Sequence, residues 1–493
     1  MAGRVRWLGV GMMLCFVLLF LQLNNVQVKN AHTYATSAYN PAVIQAKYDQ
    51  PRGIIQSADG VVLAQSARTV KGSYKYVRQY PTGSLFSQIT GYLPIGGLPT
   101  GVEATYGQYL AQHNRPVKTI GDLLTTPVET DTVTLTLSSK LQETARQALD
   151  GRNGAIVVID PTTGAILAMY SNPTFDPNPL ALNDATTVAN AYKADTTKDP
   201  VSGFAPAVSL AYQDSFQPGS TFKVVTATAA YTYAPKLVDT PMPSYVCIPV
   251  GTLGGQGVPL CNSGMSACGG TIAVMLPESC DPGFALLGTR VGAASMTAEA
   301  QSFGFNQQPP LDLPTSIYQP SHFLTVPHEN CSAQILLAYA SIGQDCTVAS
   351  PLQMALVAAG IANGGVVMTP HVMYAIRDSQ NNLVEQYQPK AWHRASTPAT
   401  AAALRGLMVN VVKFGTAAGD GFPASWDVAA KTGTAQVGVG NTRTTDWMIA
   451  LAPASNPTVA IAVAMPNQPV DETGALVAGP IVKTMIQAVL AGQ

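Results

Sequence analysis

A chain of 493 residues is too long for one compact core and implies two or three domains. Its formal net charge of −1 gives no electrostatic footprint for nucleic acid, so a nucleic-acid-binding role is excluded. Charged residues are only 11% of the chain, against about 25% in a typical globular protein, so the surface leans on Gln, Asn, Ser, Thr and Tyr.

Arg4 and Arg6 precede an uncharged run, Trp7 to Leu23, dominated by Val, Leu, Phe and Met. Its 17 residues lie at the short end for a bilayer span and exceed most signal-peptide apolar cores. The exit reads Gln22-Leu23-Asn24-Asn25, with no small-x-small cleavage pattern close behind. The reading is an uncleaved, single-pass signal anchor over residues 1–28, with the Arg pair inside and everything after Asn25 outside. A cleaved signal peptide is the competing reading, and either one exports the rest. Cys15 sits in the span; Cys247, Cys261, Cys268, Cys280, Cys331 and Cys346 lie beyond it. An even number of exported cysteines permits disulfides, though spacing selects no pairing. Without a Cys-x-x-Cys pair or partnered His, no metal site is expected from them.

Residues 29–135 form the next unit, rich in Gly, Pro, Tyr and Thr, with short β-like runs and no long helical periodicity. Thr132 to Leu137 alternates as a half-buried strand should. Ser138 or Ser139 can cap a helix through Leu149, and Gly151 can stop it. Two apolar runs, Gly154–Asp160 and Ala165–Tyr170, flank a Pro/Gly turn and predict a hairpin in a buried sheet. Residues 171–219 are loop-rich, with Asn-Pro, Asp-Pro and Gln-Pro steps, and Gln217-Pro218-Gly219 places Ser220 at the opening of an apolar helix. Helical patterns follow at Gly283–Phe303 and Ala333–Ala362. Strand-like runs return at Trp426–Thr434, Asp446–Ala452 and Val459–Met465, before a last helix near Pro480–Ala491. The order predicts an α+β fold, residues 136–493, with one antiparallel sheet closed by both ends of the chain.

Ser220-Thr221-Phe222-Lys223 holds a Ser three residues before a Lys, so on a helix hydroxyl and amine share a face. That pairing gives an alcohol a nitrogen base, a recognised solution for nucleophilic catalysis. An isolated Ser-x-x-Lys is more often a solvated helix turn. Here no other Lys has a Ser three residues before it, and a single Lys-Thr-Gly, Lys431-Thr432-Gly433 followed by Thr434, lies downstream. Gly433 would let a substrate backbone lie against that strand.

Ser-x-x-Lys, then Ser-x-Asn, then Lys-Thr-Gly is the order found in penicillin-binding proteins and serine β-lactamases, which this chain resembles. The best middle element is Ser279-Cys280-Asp281, 152 positions before Lys431. Arg52-Gly53-Ile54-Ile55, Asp59-Gly60, Leu63-Ala64, Gly101-Val102-Glu103, Gly154–Met169 and Ser341–Met354 narrow the resemblance to class B penicillin-binding proteins, most like the actinobacterial penicillin-binding protein A group. It implies a transpeptidase domain above an extended pedestal module resembling a dimerisation domain. It also implies a D,D-transpeptidase acting on peptidoglycan stem peptides of lipid II-derived glycan. Ser220 would be acylated, Lys223 would take its proton, and Ser279 would relay a proton to the leaving amine. Lys431, Thr432 and Thr434 would hold the donor's terminal carboxylate, and the N–H groups of Ser220 and Thr434 would form the oxyanion hole. The resemblance further implies covalent inhibition by β-lactams, no cofactor and no metal, and a SEDS-family glycan polymerase as partner in elongation or division.

Asp281 departs from the pattern. The family usually has Asn there, which both accepts and donates, whereas an ionised carboxylate only accepts. It would also raise the pKa of Lys223, which catalysis wants lowered. Three readings follow: a protonated Asp281, a different local geometry, or weak acylation. The last motivates a second function, a non-catalytic scaffold or activator in the wall-synthesis complex; a β-lactamase or β-lactam sensor is a third. The only other Ser-x-Asn between the outer motifs, Ser379-Gln380-Asn381, reads as a polar turn. Glu103 reads as a structural ion-pair partner, Cys280 as facing away from the cleft into packing or a disulfide, and His328 and His371 as loop histidines.

Overall fold

The computed structural model describes residues 2–30, 48–69, 74–114, 128–253, 256–314, 321–325, 334–437 and 442–492, together with 33 and 45. The first helix, Ala2–Asn24, is exposed from Gly3 onward. Among the described residues, one helical stretch, Gly3–Lys29, is long and apolar enough to cross a membrane.

The predicted sheet is present and antiparallel. Its five strands run in the order Ala429–Val437, Arg443–Ala452, Val459–Pro469, Gly154–Ile159 and Ile166–Asn172, so late strands pair with the early hairpin. The period of two sorts its side chains onto two faces. Ile156, Val158, Met448, Ala450, Ile461 and Val463 pack with helices Ser139–Leu149 and Gly479–Ala491. Val157, Ile159, Ile449, Leu451, Ala460 and Ala462 face the other way, toward helix Pro351–Ala362. That helix is buried on every side, which explains why its sequence is apolar all round rather than striped.

A second sheet joins the N-terminal region to a hairpin far downstream. Its order is Leu383–Gln386, Met373–Arg377, Thr132–Leu135, Ile55–Gln56, Val62–Arg68 and Tyr76–Gln79. Thr132–Leu135 stands between the two contributions, pairing parallel with Ile55–Gln56 and antiparallel with Met373–Arg377. Side chains add to the seam: Tyr106 Oη donates to Asp312 Oδ2 at 2.6 Å, and Asp59 accepts from Ser139 N at 2.9 Å at the start of helix Ser139–Leu149. Glu103 is the buried ion-pair partner expected of it, with Arg52 Nε at 2.6 Å and Arg78 Nε at 2.5 Å.

The loop-rich stretch 171–219 includes one longer helix, Ala185–Thr196, with Asp184 capping its first turn. Its Ala- and Thr-rich residues are all at least partly exposed, so it carries no apolar periodicity to read. The helical patterns at 283–303 and 333–362 are present, each as two helices: the first pair meets at Gly292, where φ is +89°, and the second comprises Gln334–Ala340 and Pro351–Ala362. Ser379-Gln380-Asn381 forms the turn between Met373–Arg377 and Leu383–Gln386, as expected. Cys331 and His328 lie outside the described residues.

Candidate active site

Ser220 sits in a 3-10 turn, Gly219–Phe222, that leads into helix Lys223–Tyr233. Phe222 anchors this turn in the core, 5.3 Å from Phe305 and 5.2 Å from Phe323 between ring centroids. Two glycines bring it against the strand that carries Lys431. A Cβ on Gly219, whose φ is +53°, would stand 3.0 Å from the Thr434 carbonyl carbon, and one on Gly433 would stand 2.7 Å from Pro218 O. Neither position has room for a side chain. Gly219 N donates to Gly343 O at 2.9 Å and Trp447 Nε1 to Gln217 O at 2.9 Å, fixing the turn from both sides.

Ser279 arrives from a third element. It ends helix Ile272–Glu278 in the left-handed region, φ 60° and ψ 37°, a strained conformation for a residue with a side chain. The next residue, Cys280, is buried and bonded to Cys268, and Cys247 is bonded to Cys261. Cys346 is disulfide-bonded as well. The Cys280 side chain therefore leaves the cleft, as expected.

The buried amines converge on Ser279. Lys431 Nζ donates to Ser279 Oγ at 2.8 Å; Lys223 Nζ reaches the same oxygen at 3.3 Å and the Ser279 carbonyl at 2.5 Å. Lys223 Nζ also lies 2.6 Å from Asp281 Oδ1. Both lysines are fully buried, whereas Ser220, Ser279 and Thr434 are partly open. Among the described residues, no side chain hydrogen-bonds Ser220 Oγ: Lys223 directs its amine to Ser279 and Asp281 instead.

Burial lowers the pKa of Lys223, and the Asp281 carboxylate opposes but does not reverse this. Lys431 is lowered well below the usual lysine range, by burial first and by the Lys223 charge second. Desolvation of an amine thus outweighs the acidic neighbour, the concern that Asp281 raised at the sequence level. The carboxylate stands at the first turn of helix Asp281–Val291, where the helix dipole favours an anion, and its Oδ2 accepts from Ser263 N at 3.4 Å.

Thr432 is buried, and its Oγ1 pairs with Thr416 Oγ1 at 2.6 Å, so of the two expected hydroxyls only that of Thr434 is partly exposed. Thr434 Oγ1 accepts from Gly474 N at 3.0 Å. Opposite Thr434 across the sheet, Asp446 is buried, which with the nearby Glu472 pushes its carboxyl up to about 7. Asn262, which sequence reasoning passed over, accepts from Asp281 N at 3.1 Å through Oδ1. Its proximity depends on a fold of the Cys247–Cys261 hairpin that no local motif announces.

Residues 154–487 match the penicillin-binding protein transpeptidase domain, and residues 52–127 match the penicillin-binding protein A dimerisation domain. The chain is 32% identical to peptidoglycan D,D-transpeptidase PbpA of Mycolicibacterium smegmatis, covering 99% of each, and 31% identical to its counterpart in Mycobacterium tuberculosis, covering 100% of each. Penicillin-binding protein A of M. tuberculosis, solved as an acyl-enzyme, superposes with a TM-score of 0.81 at 30% identity over 90% of this chain and 100% of that one. Its penicillin G acyl-enzyme superposes at 0.79 and 29% identity, again over 90% and 100%. By these matches the chain belongs to the penicillin-binding protein transpeptidase family.

Proposed function

We propose that this protein is a membrane-anchored serine D,D-transpeptidase that cross-links peptidoglycan stem peptides through an acyl-enzyme on Ser220. The observation that carries this reading is the convergence of two buried lysines on Ser279 Oγ, beside the turn that bears Ser220. A neutral Lys223 has two N–H groups, which match its two short contacts to Ser279 O and Asp281 Oδ1 and leave a lone pair for a hydroxyl proton.

In the first half-reaction Ser220 Oγ attacks the carbonyl carbon of the D-Ala–D-Ala bond as its proton passes to Lys223 Nζ. The N–H groups of Ser220 and Thr434 receive the developing oxyanion. The C–N bond then breaks, and a proton delivered through Ser279, held by Lys431, lets the terminal D-Ala leave as a neutral amine. In the second half-reaction an amine of a neighbouring stem attacks the ester, loses its proton by the same route and regenerates Ser220. Lys431 with the Thr434 hydroxyl holds the donor carboxylate, while Thr432 braces the strand through Thr416. β-Lactams are covalent inhibitors at Ser220 in this scheme.

Arg4 and Arg6 before the apolar helix support an orientation with the catalytic domain outside the cytoplasm, and the disulfides Cys247–Cys261 and Cys268–Cys280 support an oxidising compartment. Residues 29–135 serve as pedestal and docking module, with a SEDS-family glycan polymerase as the proposed partner. The full chain in detergent, supplied with glycan strands bearing pentapeptide stems, tests the reading. Cross-linked stems and released D-Ala, both lost in Ser220→Ala, support it. Folded protein that forms neither cross-links nor a penicillin adduct supports the scaffold role that Asp281 motivates.

A further inference from the structure

A group of ligating side chains lies outside the acyl-transfer site, in the N-terminal region. His113, on the strand His113–Asn114, pairs in antiparallel register with Glu129 of Val128–Glu129. Asp131 follows Glu129 by two positions, so an extended chain projects both carboxylates from one face. One ligand atom from each of the three residues lies within 4.8 Å of the others.

The histidine is already oriented as a ligand. Its Nδ1 lies 3.1 Å from the Ala111 carbonyl, which can only accept, so Nδ1 carries the proton. Nε2 faces Asp131 Oδ2, 3.6 Å away. A ring N–H given to a backbone carbonyl is the usual outer support of a metal-bound imidazole. The Asp131 side chain is only 2% exposed, and its Oδ1 has no hydrogen-bond partner. Its backbone is held rigidly, with Asp131 N donating to Tyr109 O at 3.0 Å and Gly53 packed so that a Cβ there would stand 1.9 Å from Asp131 O. Glu129 is oriented in turn, its Oε2 accepting from Ser379 Oγ at 2.9 Å, in the turn contributed by the catalytic domain.

We propose that His113, Glu129 and Asp131 bind one divalent transition-metal ion, Zn2+, with a water in the remaining position. One imidazole and two carboxylates, with Asp131 buried and His113 partly exposed, suit Zn2+ better than Ca2+ or Mg2+, which favour all-oxygen shells. The ion fastens the paired strands of residues 113 and 129 at the place where the N-terminal region meets the turn of Ser379. Its role is a clamp, not chemistry on the substrate.

Tag-free, full-length protein in detergent micelles, stripped with a chelator, is titrated with Co2+ and then Zn2+. The expected result is one Co2+ per chain with visible d–d absorption, displaced by Zn2+, and a Tm raised by Zn2+. His113→Ala and Asp131→Asn each lose the absorption and the Tm response but keep wild-type penicillin acylation, which reports their folding. Should either fail to acylate, Glu129→Gln supplies the comparison, and its retention of wild-type affinity overturns the proposal. It is also overturned if the wild type binds neither ion stoichiometrically at micromolar concentration. Equal binding by wild type and variants does the same, leaving His113 and Asp131 as an ion pair only.

Discussion

Lys431 Nζ donates to Ser279 Oγ at 2.8 Å across 152 positions of sequence. No carboxylate forms an ion pair with Lys431 among the described residues, although the amine is fully buried. An unpaired charge there is costly, and the Lys223 charge nearby makes it more so. Lys431 therefore stands as a functional expense rather than a structural asset.

Lys431→Met separates these two roles. Acylation by a fluorescent penicillin is expected to slow by about 10²–10⁴-fold, the range for loss of a positioned proton-transfer group. Tm is expected to hold or rise, because an apolar chain of similar length replaces a buried amine. A large fall in Tm would make Lys431 a structural residue.

Asp281→Asn tests how the acidic neighbour acts on the base. Burial lowers the Lys223 pKa and Asp281 pulls it back up, so removing the carboxylate lowers it further. The neutral amine then persists to lower pH, and the acid limb of the acylation profile is expected to move down. On that limb, where the amine is mostly protonated, a tenfold fall in its acid dissociation constant's reciprocal gives about tenfold more neutral base at a given pH. An unmoved limb, or one displaced upward, would remove Asp281 from the control of Lys223.

The Cys268–Cys280 bond holds the residue next to Ser279. Cys268→Ala/Cys280→Ala is expected to lower stability by about 2–4 kcal/mol, and to slow acylation at temperatures where the protein stays folded. Cys247→Ala/Cys261→Ala serves as the comparison, with acylation retained. Equal acylation by both double variants would show that the left-handed Ser279 needs no covalent support.

Much of the site was legible because its signals are local: Ser220 and Lys223 are three apart, and Lys431 to Thr434 are contiguous. Their expected meeting was only partly realised, since Lys223 turns to Ser279 and Asp281 rather than to Ser220. The five-stranded sheet was legible because strands buried on both faces leave continuous apolar runs. The mixed sheet was not, because Ile55–Gln56 is two residues long and its distant partners carry no shared pattern. Asn262 and Thr416 were invisible for a related reason: each meets the site through tertiary contact alone.

Glu103 supplies a pH-dependent part of stability. Burial raises its pKa, but Arg78 and Arg52 overcome this and hold it below the ordinary value of 4.5. A depressed folded-state pKa gives stability present above the unfolded value and lost as pH falls through the folded one. Glu103→Ala is expected to cost about 3–5 kcal/mol at neutral pH, leaving two buried guanidinium groups unpaired. Denaturant melts should show this cost shrinking as the pH drops below 4.5. A pH-independent cost would assign the effect to packing.

The most direct test of the account is the intact mass of the full chain after exposure to penicillin G. One covalent adduct per chain is expected, carrying the whole mass of the antibiotic, and none in folded Ser220→Ala. An unmodified wild type, or an adduct that survives the substitution, would contradict acylation of Ser220.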